Sequence, residues 1–380
     1  MGKNDVRTQA LTLHRKLKGK VRIESAMPVR NRKELSLVYT PGVGAVSSYV
    51  AKHQKEAREY TMKGRMVAVI SDGSAVLGLG NIGALGALPV MEGKCALFKE
   101  FAGIDAFPIV LNTQDPKEII EVVCAIAPGF GGINLEDIAA PKCFKVEEEI
   151  KRRLDIPVMH DDQHGTAIAV LAGLINASKV VRKDMRSMRI VISGAGAAGT
   201  AIAKLLRKHR AGDIVMLDSK GILSKNRIGL SPEKRELTRL TNTRNLSGGL
   251  SEALQGADAV IGVSGPGLIS GREIQRMGKR PIVFALANPI PEILPEEAVR
   301  AGAAVVATGR SDFPNQINNS LVFPGVFRGA LDHRVSKITD TMKLKAAKHL
   351  AALVKKPTAG RIIPGPFDRG VVQAVARAIR

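Results

Sequence analysis

Two stretches of the chain bring acidic residues together. NLEDIAAPKCF carries Glu136 and Asp137, and 25 residues beyond Asp137 the stretch PVMHDDQHGTA carries Asp161 and Asp162. Hard oxygen donors of this kind suit Mg²⁺ or Mn²⁺. Neighbouring acids on a strand point to opposite faces, so Glu136 and Asp137 converge only in a turn or at a helix start. On composition alone the commoner fate of such acids is a solvated surface. His160 and His164 flank the second acid pair at the spacing of a helical zinc site. A zinc hydrolase of the HExxH kind needs Glu straight after the first His. Here Asp161 stands there on a shorter arm, and Pro157 with the IPVM stretch puts His160 at a strand end. Comparing zinc with magnesium or manganese would separate the two readings.

The pattern GxGxxG occurs twice, as GLGNIG (Gly78, Gly80, Gly83) and as GAGAAG (Gly194, Gly196, Gly199). A dinucleotide loop must follow a strand directly and open a helix. Its glycines permit a tight turn, close approach of a pyrophosphate and tight helix–strand packing, with the helix N-terminus facing the phosphates. The second copy meets each condition. MRIVIS precedes it, TAIAKLLRKH continues it, and Asp218 ends the next strand 19 residues after Gly199, where an acid accepts bonds from the adenosine ribose. Gly194, Ala195, Gly196, Ala197, Ala198, Gly199 and Asp218 are the expected nucleotide contacts. Asp218 favours NAD, because a carboxylate repels a 2′-phosphate, but Lys220 and Lys225 lie close enough in sequence to offset that repulsion. NAD and NADP both stay open. The first copy runs into Gly86 and Pro89, which argue against a long helix, and reads as a close-packed turn.

Elements to position these groups follow from the apolar pattern. Strands are expected at Met66–Ser71, 105–112 and 156–160, with helices at 116–127 and 141–154 and an apolar helix over GTAIAVLAGLINASKVV bridging two domains. Beyond it, strands at Arg189–Ser193, Asp213–Asp218, 258–263, 282–287 and 304–308 alternate with helical segments, the signature of a doubly wound parallel sheet. A long amphipathic helix is expected from Gly329 toward Val354, and a final helix over 371–380 capped by Asp368. The fold class is therefore α/β: a substrate and metal domain at 1–163, a Rossmann-type nucleotide domain at 164–330, and C-terminal helices at 331–380 that pack back on the first domain.

Composition agrees. The 380 residues are 45% hydrophobic and 24% charged, with ten Phe, three Tyr and no Trp, so the cores must be built from Val, Ile, Leu and Ala, as in buried parallel sheets. Cys95, Cys124 and Cys143 offer no CxxC spacing and cannot all pair, which suits a reduced, cytoplasmic protein. The basic start, residues 1–35, reads as a helical lead-in without the apolar region of a secretory signal. Gly73 to Met91 is uncharged and long enough to span a bilayer, but five Gly, Asn81 and Pro89 make it a packed core segment. The net charge of +22 admits a nucleic-acid surface or a general field that draws in anionic small molecules. No zinc-finger, RRM-like or KH-like pattern accompanies it, so no specific nucleic acid and no membrane partner is expected.

In collinear order the chain carries VYTPGVG (38–44), SDGSAVLGLGNIGALGALPVMEGKCALFKEFAGID (71–105), GGINLEDIAAPKCF (131–144), IPVMHDDQHGTAIA (156–169), SGAGAAG (193–199), FALANPIPEI (284–293) and TGRSDFPNQINNSLVFPGVFRGALD (308–332). These stretches resemble the malic enzymes, specifically their compact bacterial form, over nearly the whole length. The resemblance implies NAD(P)-dependent oxidative decarboxylation of malate to pyruvate, with a divalent ion held by Glu136, Asp137 and Asp162. It implies Lys94 as general base, Tyr39 as the acid that protonates the product enol, and Asn288 and Asn319 as contacts to malate and the nicotinamide end. A lysine base near neutrality needs its pKa lowered from about 10.4 by burial and the nearby cation. The resemblance also implies a homodimer or higher oligomer, in which Tyr39 can reach a neighbouring subunit's site.

Three positions depart from the family pattern. Ala75 stands where animal-type enzymes have a malate-gripping Arg, Phe313 where bacterial relatives usually have Tyr, and Cys95 beside Lys94 opens a route to oxidation sensitivity. The rival enzyme reading is an amino-acid dehydrogenase, which shares the domain order and a lysine base but needs no divalent ion. A dead nucleotide sensor would have no need of a Tyr–Lys proton-transfer pair.

Overall fold

The computed structural model describes residues 3–380, and two parallel sheets organise it. The chain opens with helices α1 (Lys3–Leu17), α2 (Arg32–Val38), α3 (Gly42–Lys52) and α4 (Ala57–Tyr60). Residues 1 and 2 of the expected lead-in lie outside the described residues, and 18–31 are not helical: Lys18 and Gly19 both take left-handed φ, at 55° and 113°, and end α1. The first sheet holds β1 (Met66–Ser71), β2 (Asp105–Val110), β3 (Gly132–Leu135) and β4 (Val158–His160) in the order β2-β1-β3-β4, all pairs parallel. MVAVIS of β1 is buried from Val67 onward, as a central strand covered on both faces must be. Helices α5 (Gly83–Ala102), α6 (Pro116–Ile126) and α7 (Lys142–Arg153) connect the strands, and α8 (Asp161–Val181) leaves β4 without a break. Local chemistry sets the α6 boundary: Asp115 accepts the Lys117 and Glu118 N–H groups, and Pro116 takes the first helical position.

The expectation, from Gly86 and Pro89, that no long helix follows GLGNIG is wrong. α5 runs 20 residues with Pro89 inside. Met91, Lys94, Cys95 and Phe98 recur on one buried face, and burying that face outweighs one lost backbone bond. α8 begins four residues before the expected GTAIA start, which puts Asp161 and Asp162 in its first turn. By length and hydropathy α8 could cross a membrane, but 72% of its apolar window is buried inside the protein, so it is a core helix.

The second sheet contains β5 (Arg189–Ser193), β6 (Asp213–Asp218), β7 (Gly221–Ile222), β8 (Ala259–Gly262), β9 (Ile282–Ala285) and β10 (Val305–Thr308) in the order β10-β9-β8-β5-β6-β7. All pairs are parallel except the short edge pair β6–β7. α9 (Ala197–Lys208), α10 (Pro232–Leu240), α11 (Leu250–Leu254), α12 (Gly271–Gln275) and α13 (Pro295–Arg300) cover it. Strand order reverses between β5 and β8, and ligands of such sheets bind in the crevice at that switch point.

The long helix expected from Gly329 to Val354 is two helices, α14 (Phe323–Asp332) and α15 (Asp340–Ala352), followed by α16 (Val371–Ala376). Arg334 at φ 53° breaks the helical path between α14 and α15, and Thr339 caps α15 by accepting the Met342 N–H. Asp368 does not cap α16. Its carboxylate accepts from Gly365 N–H and Arg361, while Gly370 at φ 86° leads into the helix. α14 packs back on α5, where Phe98 meets Phe323 and Phe327 edge-on at 4.7 and 5.5 Å, and α15 lies along α8.

Candidate active site

The carboxyl ends of β3 and β4 deliver the acids. Glu136 follows β3 directly, with its N–H bonded to Ile70 O on β1 at 2.9 Å. Asp137 then takes a left-handed φ of 52°, the turn that neighbouring acids require if they are to face one way. Two bonds hold it there: its N–H donates to Asp162 Oδ2 at 2.8 Å, and its carbonyl accepts the Ala75 N–H at 2.9 Å. Among the described residues, Glu136, Asp137 and Asp162 form the one convergent cluster of acids, histidines and cysteines, with ligand atoms all within 4.8 Å of one another. His160 and His164 stand outside it. His160 is fully buried with its Nδ1 3.7 Å from Asp162 Oδ2, and His164 Nε2 lies 3.0 Å from Glu147.

This donor set fits a hard divalent ion. Asp137 Oδ2 is buried without a hydrogen-bond partner. Burial first, and repulsion from Asp162 second, push Asp137 up to about 8 and raise Glu136 well above the usual carboxylate range. Three oxygen donors in mutual repulsion are what a divalent cation relieves.

Lys94 projects from α5 into the same cluster. Its Nζ donates to Glu136 Oε1 and, at 2.5 Å, to Asp161 Oδ2, and it lies 4.5 Å from the Phe323 ring centroid. Burial disfavours its charge, but Asp161 and then Glu136 overcome that and raise its pKa. Burial alone therefore does not bring Lys94 toward neutrality, because the acids around it outweigh it. Asp161 was named in the sequence only as one of the acids, with no tie to Lys94. It is fully buried, pushed up to about 6 by burial against the opposing pull of Lys94, and it shares Lys94 with Glu136. Its sequence signal is Gly165, one helical turn on: a Cβ there would stand 1.9 Å from Asp161 Oδ1.

A cavity of about 480 Å³ opens beside the cluster, lined by Asp162, Ala198, Ser264, Asn288 and Asn319 among others. Asn288 and Asn319 thus come together with a predicted metal ligand. The GLGNIG turn closes the cavity's rim, where a Cβ on Gly78 would lie 2.4 Å from Asn288 O, so this turn seals the contact between the two sheets' loops. Buried Glu292 ties two loops of this crevice, accepting Ser264 N–H at 2.9 Å and Ala287 N–H at 3.0 Å, and nothing in the sequence reading singled it out. Arg310 reaches the same region: its Nη1 donates to Pro289 O at 2.6 Å, and its guanidinium faces Phe313 at 5.3 Å.

The adjoining cavity, about 620 Å³, is lined by Gly194–Gly196, Asp218, Lys234 and Leu268. Its glycines divide the work that a dinucleotide loop needs. A Cβ on Gly194 would meet Val263 O at 2.6 Å, one on Gly199 would meet Gly194 O at 1.8 Å, and one on Gly196 would meet nothing within 4 Å. The first and third pack the turn, and the second leaves the backbone open to an approaching pyrophosphate. Asp218 ends β6 in the expected place. The cations beside it are not the side chains of Lys220 and Lys225, whose backbone N–H groups bond Asp218 and Asn245 instead. Arg227 Nη2 at 2.7 Å and Lys234 Nζ at 2.6 Å hold the carboxylate, because the chain doubles back through β7 before α10. Burial opposes the charge of Asp218, but bonds from Lys234, the Lys220 N–H and Arg227 keep it below its ordinary range.

Tyr39 is not brought to this site. It ends α2 with 66% of its surface exposed and lines neither cavity, and α2 and α3 contain no buried residue. Cys95 is buried and its thiol is pushed up to about 12, by burial and then by Glu92, which keeps it protonated and unreactive.

Comparison with known proteins completes the description. The family model of the malic enzyme N-terminal domain matches residues 18–151, and that of the malic enzyme NAD binding domain matches 163–379. A bifunctional malic/malolactic enzyme of Bacillus subtilis is 53% identical over 98% of this chain and 92% of its own. An NAD-dependent malic enzyme of Geobacillus stearothermophilus is 52% identical over 95% of this chain and 76% of its own. The crystal structure of an NAD-dependent malic enzyme from Thermotoga maritima superposes with a TM-score of 0.95 at 49% identity, covering 97% of this chain and 98% of that one.

Proposed function

The chain belongs to the malic enzyme family, and from that premise we infer how its own residues serve the oxidative decarboxylation of malate to pyruvate and CO₂ with reduction of NAD(P)⁺. One observation carries the assignment of roles: Lys94, Asp161 and the cluster Glu136, Asp137 and Asp162 share one buried site beside the crevice of the GAGAAG loop. The amino-acid dehydrogenase alternative falls with the family match.

Glu136, Asp137 and Asp162 are the residues that would hold Mg²⁺ or Mn²⁺. When bound, the ion supplies Lewis-acid polarisation of the malate C2 oxygen, and the dinucleotide supplies the hydride acceptor. Lys94 takes the C2 hydroxyl proton as hydride leaves that carbon, and Asp161 aims its Nζ. After Asp161, the acids that raise Lys94 are Glu136 and Asp162, both proposed ion ligands, so positive charge taken up there weakens what holds the proton on Lys94. Asn288 and Asn319 orient malate and the carboxamide of the nicotinamide from the cavity wall. Ala75 offers no grip for a carboxylate, and Arg310 nearby is already held by Asp312 and the Pro289 carbonyl, so the asparagines of the cavity wall are left to bind it.

Tyr39 donates the proton to C3 after CO₂ leaves C4, and it does so in a second copy of the chain. Supporting this, Tyr39 is exposed on helices that bury nothing, among exposed Leu35, Leu37, Val43 and Val46, an apolar face of the kind a homodimer covers. Arg227 and Lys234 offset the charge of Asp218, so the adenosine end accepts NADP as well as NAD. The unpaired cysteines suit the cytoplasm.

The test is NAD⁺ and NADP⁺ reduction with L-malate, first with Mn²⁺ and then with EDTA. Turnover with Mn²⁺, abolished by EDTA and by Lys94→Ala, is expected. Metal-independent turnover, or normal turnover of Lys94→Ala, would overturn the assignment.

A further inference from the structure

We infer that Glu147 is a positioning residue that sets the turn carrying Asp161 and Asp162, capping α8 from a different helix. The inference rests on reading Glu136, Asp137 and Asp162 as the metal cluster. His160 is the N-cap of α8, and its side chain makes no capping bond. In a local capping box the third helical residue, here Gln163, reaches back to the N-cap N–H. Gln163 does not do so here. Glu147 on α7 accepts the His160 N–H at 3.0 Å and a Gln163 Nε2 hydrogen at 3.3 Å, and His164 Nε2 lies 3.0 Å from the same carboxylate. Lys151, one turn along α7, pairs with it at 2.5 Å. Glu147 is only 5% exposed, so its oxygens have no solvent to turn to.

His160 and Gln163 bracket the two acids. Fixing both ends of this four-residue turn sends Asp161 toward Lys94 and Asp162 toward the Asp137 N–H. Of the two histidines that mimic a zinc motif in the sequence, His164 meets Glu147 with its ring, whereas His160 meets it through its backbone N–H and leaves its Nδ1 3.7 Å from Asp162 Oδ2. With Glu147 removed, a buried N–H loses its acceptor, and the turn must rotate to recover one. Outer partners of this kind are typically worth about 10–100-fold in metal affinity.

Mn²⁺ binding to the whole enzyme, without malate or dinucleotide, tests this by calorimetric titration alongside thermal melts. The comparison is wild type, Glu147→Ala, Glu147→Gln and Asn176→Ala. Asn176 lies farther along α8, is fully buried and bonds Ala351 O and Ile362 O, so its loss costs stability without touching the turn. The expected result is about tenfold or more weaker Mn²⁺ binding for Glu147→Ala. Glu147→Gln, which keeps an oxygen for the His160 N–H but loses the charge, should recover only part of the loss and bind Mn²⁺ about threefold more weakly than wild type. Asn176→Ala should melt earlier with unchanged Mn²⁺ affinity. Wild-type affinity in Glu147→Ala overturns the inference, as does an equal loss in Asn176→Ala. If Glu147→Ala does not fold, Glu147→Gln decides: affinity equal to wild type overturns the inference. Absence of Mn²⁺ binding by the wild type removes the metal-cluster premise instead.

Discussion

Replacing Gly165 by alanine sets helix propensity against the geometry of the site. Within a helix, Gly→Ala ordinarily stabilises by about 1 kcal/mol. In α8 the new Cβ would stand 1.9 Å from Asp161 Oδ1, 2.9 Å from its Cγ and 3.0 Å from Asn319 Cβ. Ordinary contact begins near ~3.5 Å, so the Asp161 carboxyl must retreat by about 1.5 Å. It cannot do so and keep its 2.5 Å bond to Lys94 Nζ, and both groups are buried. Breaking a buried pair costs about 3–5 kcal/mol, which leaves a net destabilisation of about 2–4 kcal/mol. Misplacing the Lys94 proton acceptor by more than an ångström should cost about 10²-fold in kcat. Steady-state malate oxidation followed at the reduced-cofactor absorbance, with a thermal melt on the same samples, measures both. A variant with wild-type kcat and a raised Tm would refute the reasoning, for it would mean that the Asp161–Lys94 bond is neither tight nor used.

Other expectations follow from the same geometry. In EDTA, Asp137 stays protonated in the folded chain up to about 8, against 3.8 as its ordinary value, chiefly through burial and then Asp162. The folded state therefore binds the extra proton between those values, so stability is highest at the acid end and falls as pH rises toward 8. Tm in EDTA should drop across that window and flatten when Mn²⁺ is added; a flat profile in EDTA would contradict the crowding of the three acids. Lys234→Ala removes one of the two cations at Asp218, and NADP⁺ use should fall about tenfold relative to NAD⁺, the worth of one charged hydrogen bond. Equal effects on kcat/KM for both cofactors would show that Lys234 does not face the 2′ position. Tyr39→Phe and Lys94→Ala should each be inactive alone. Mixed and reassociated, they should recover about a quarter of wild-type activity, because half the dimers then hold one intact site. No recovery would place Tyr39 in its own chain's site.

The chemistry of the site was legible wherever a residue's role depends on its neighbours in sequence. GAGAAG between a strand and a helix declares its turn, and the structure divides tight, open and packed glycines in that order. Strand positions were readable because fully buried parallel strands are unbroken apolar runs. Pro89 misled because its local penalty is visible, while the buried face of α5 that outweighs it is met only by α14 and the sheet. The break between α14 and α15 was hidden for a related reason, since each helix has an apolar face and the gap between them carries no glycine.

By itself the sequence determined which donors exist, in what order, and that a nucleotide loop follows a strand. It could not say that Asp161 belongs to Lys94, that Arg227 and Lys234 rather than Lys220 and Lys225 neutralise Asp218, or that Glu147 holds the turn of α8. Those pairings span 67, 9, 16 and 13 residues, and each exists because separate elements end at one place. Side-chain electrostatics depend on distance through space and on burial. The protonation of Lys94, opposite to what its burial alone predicts, was therefore decided only when the chain folded.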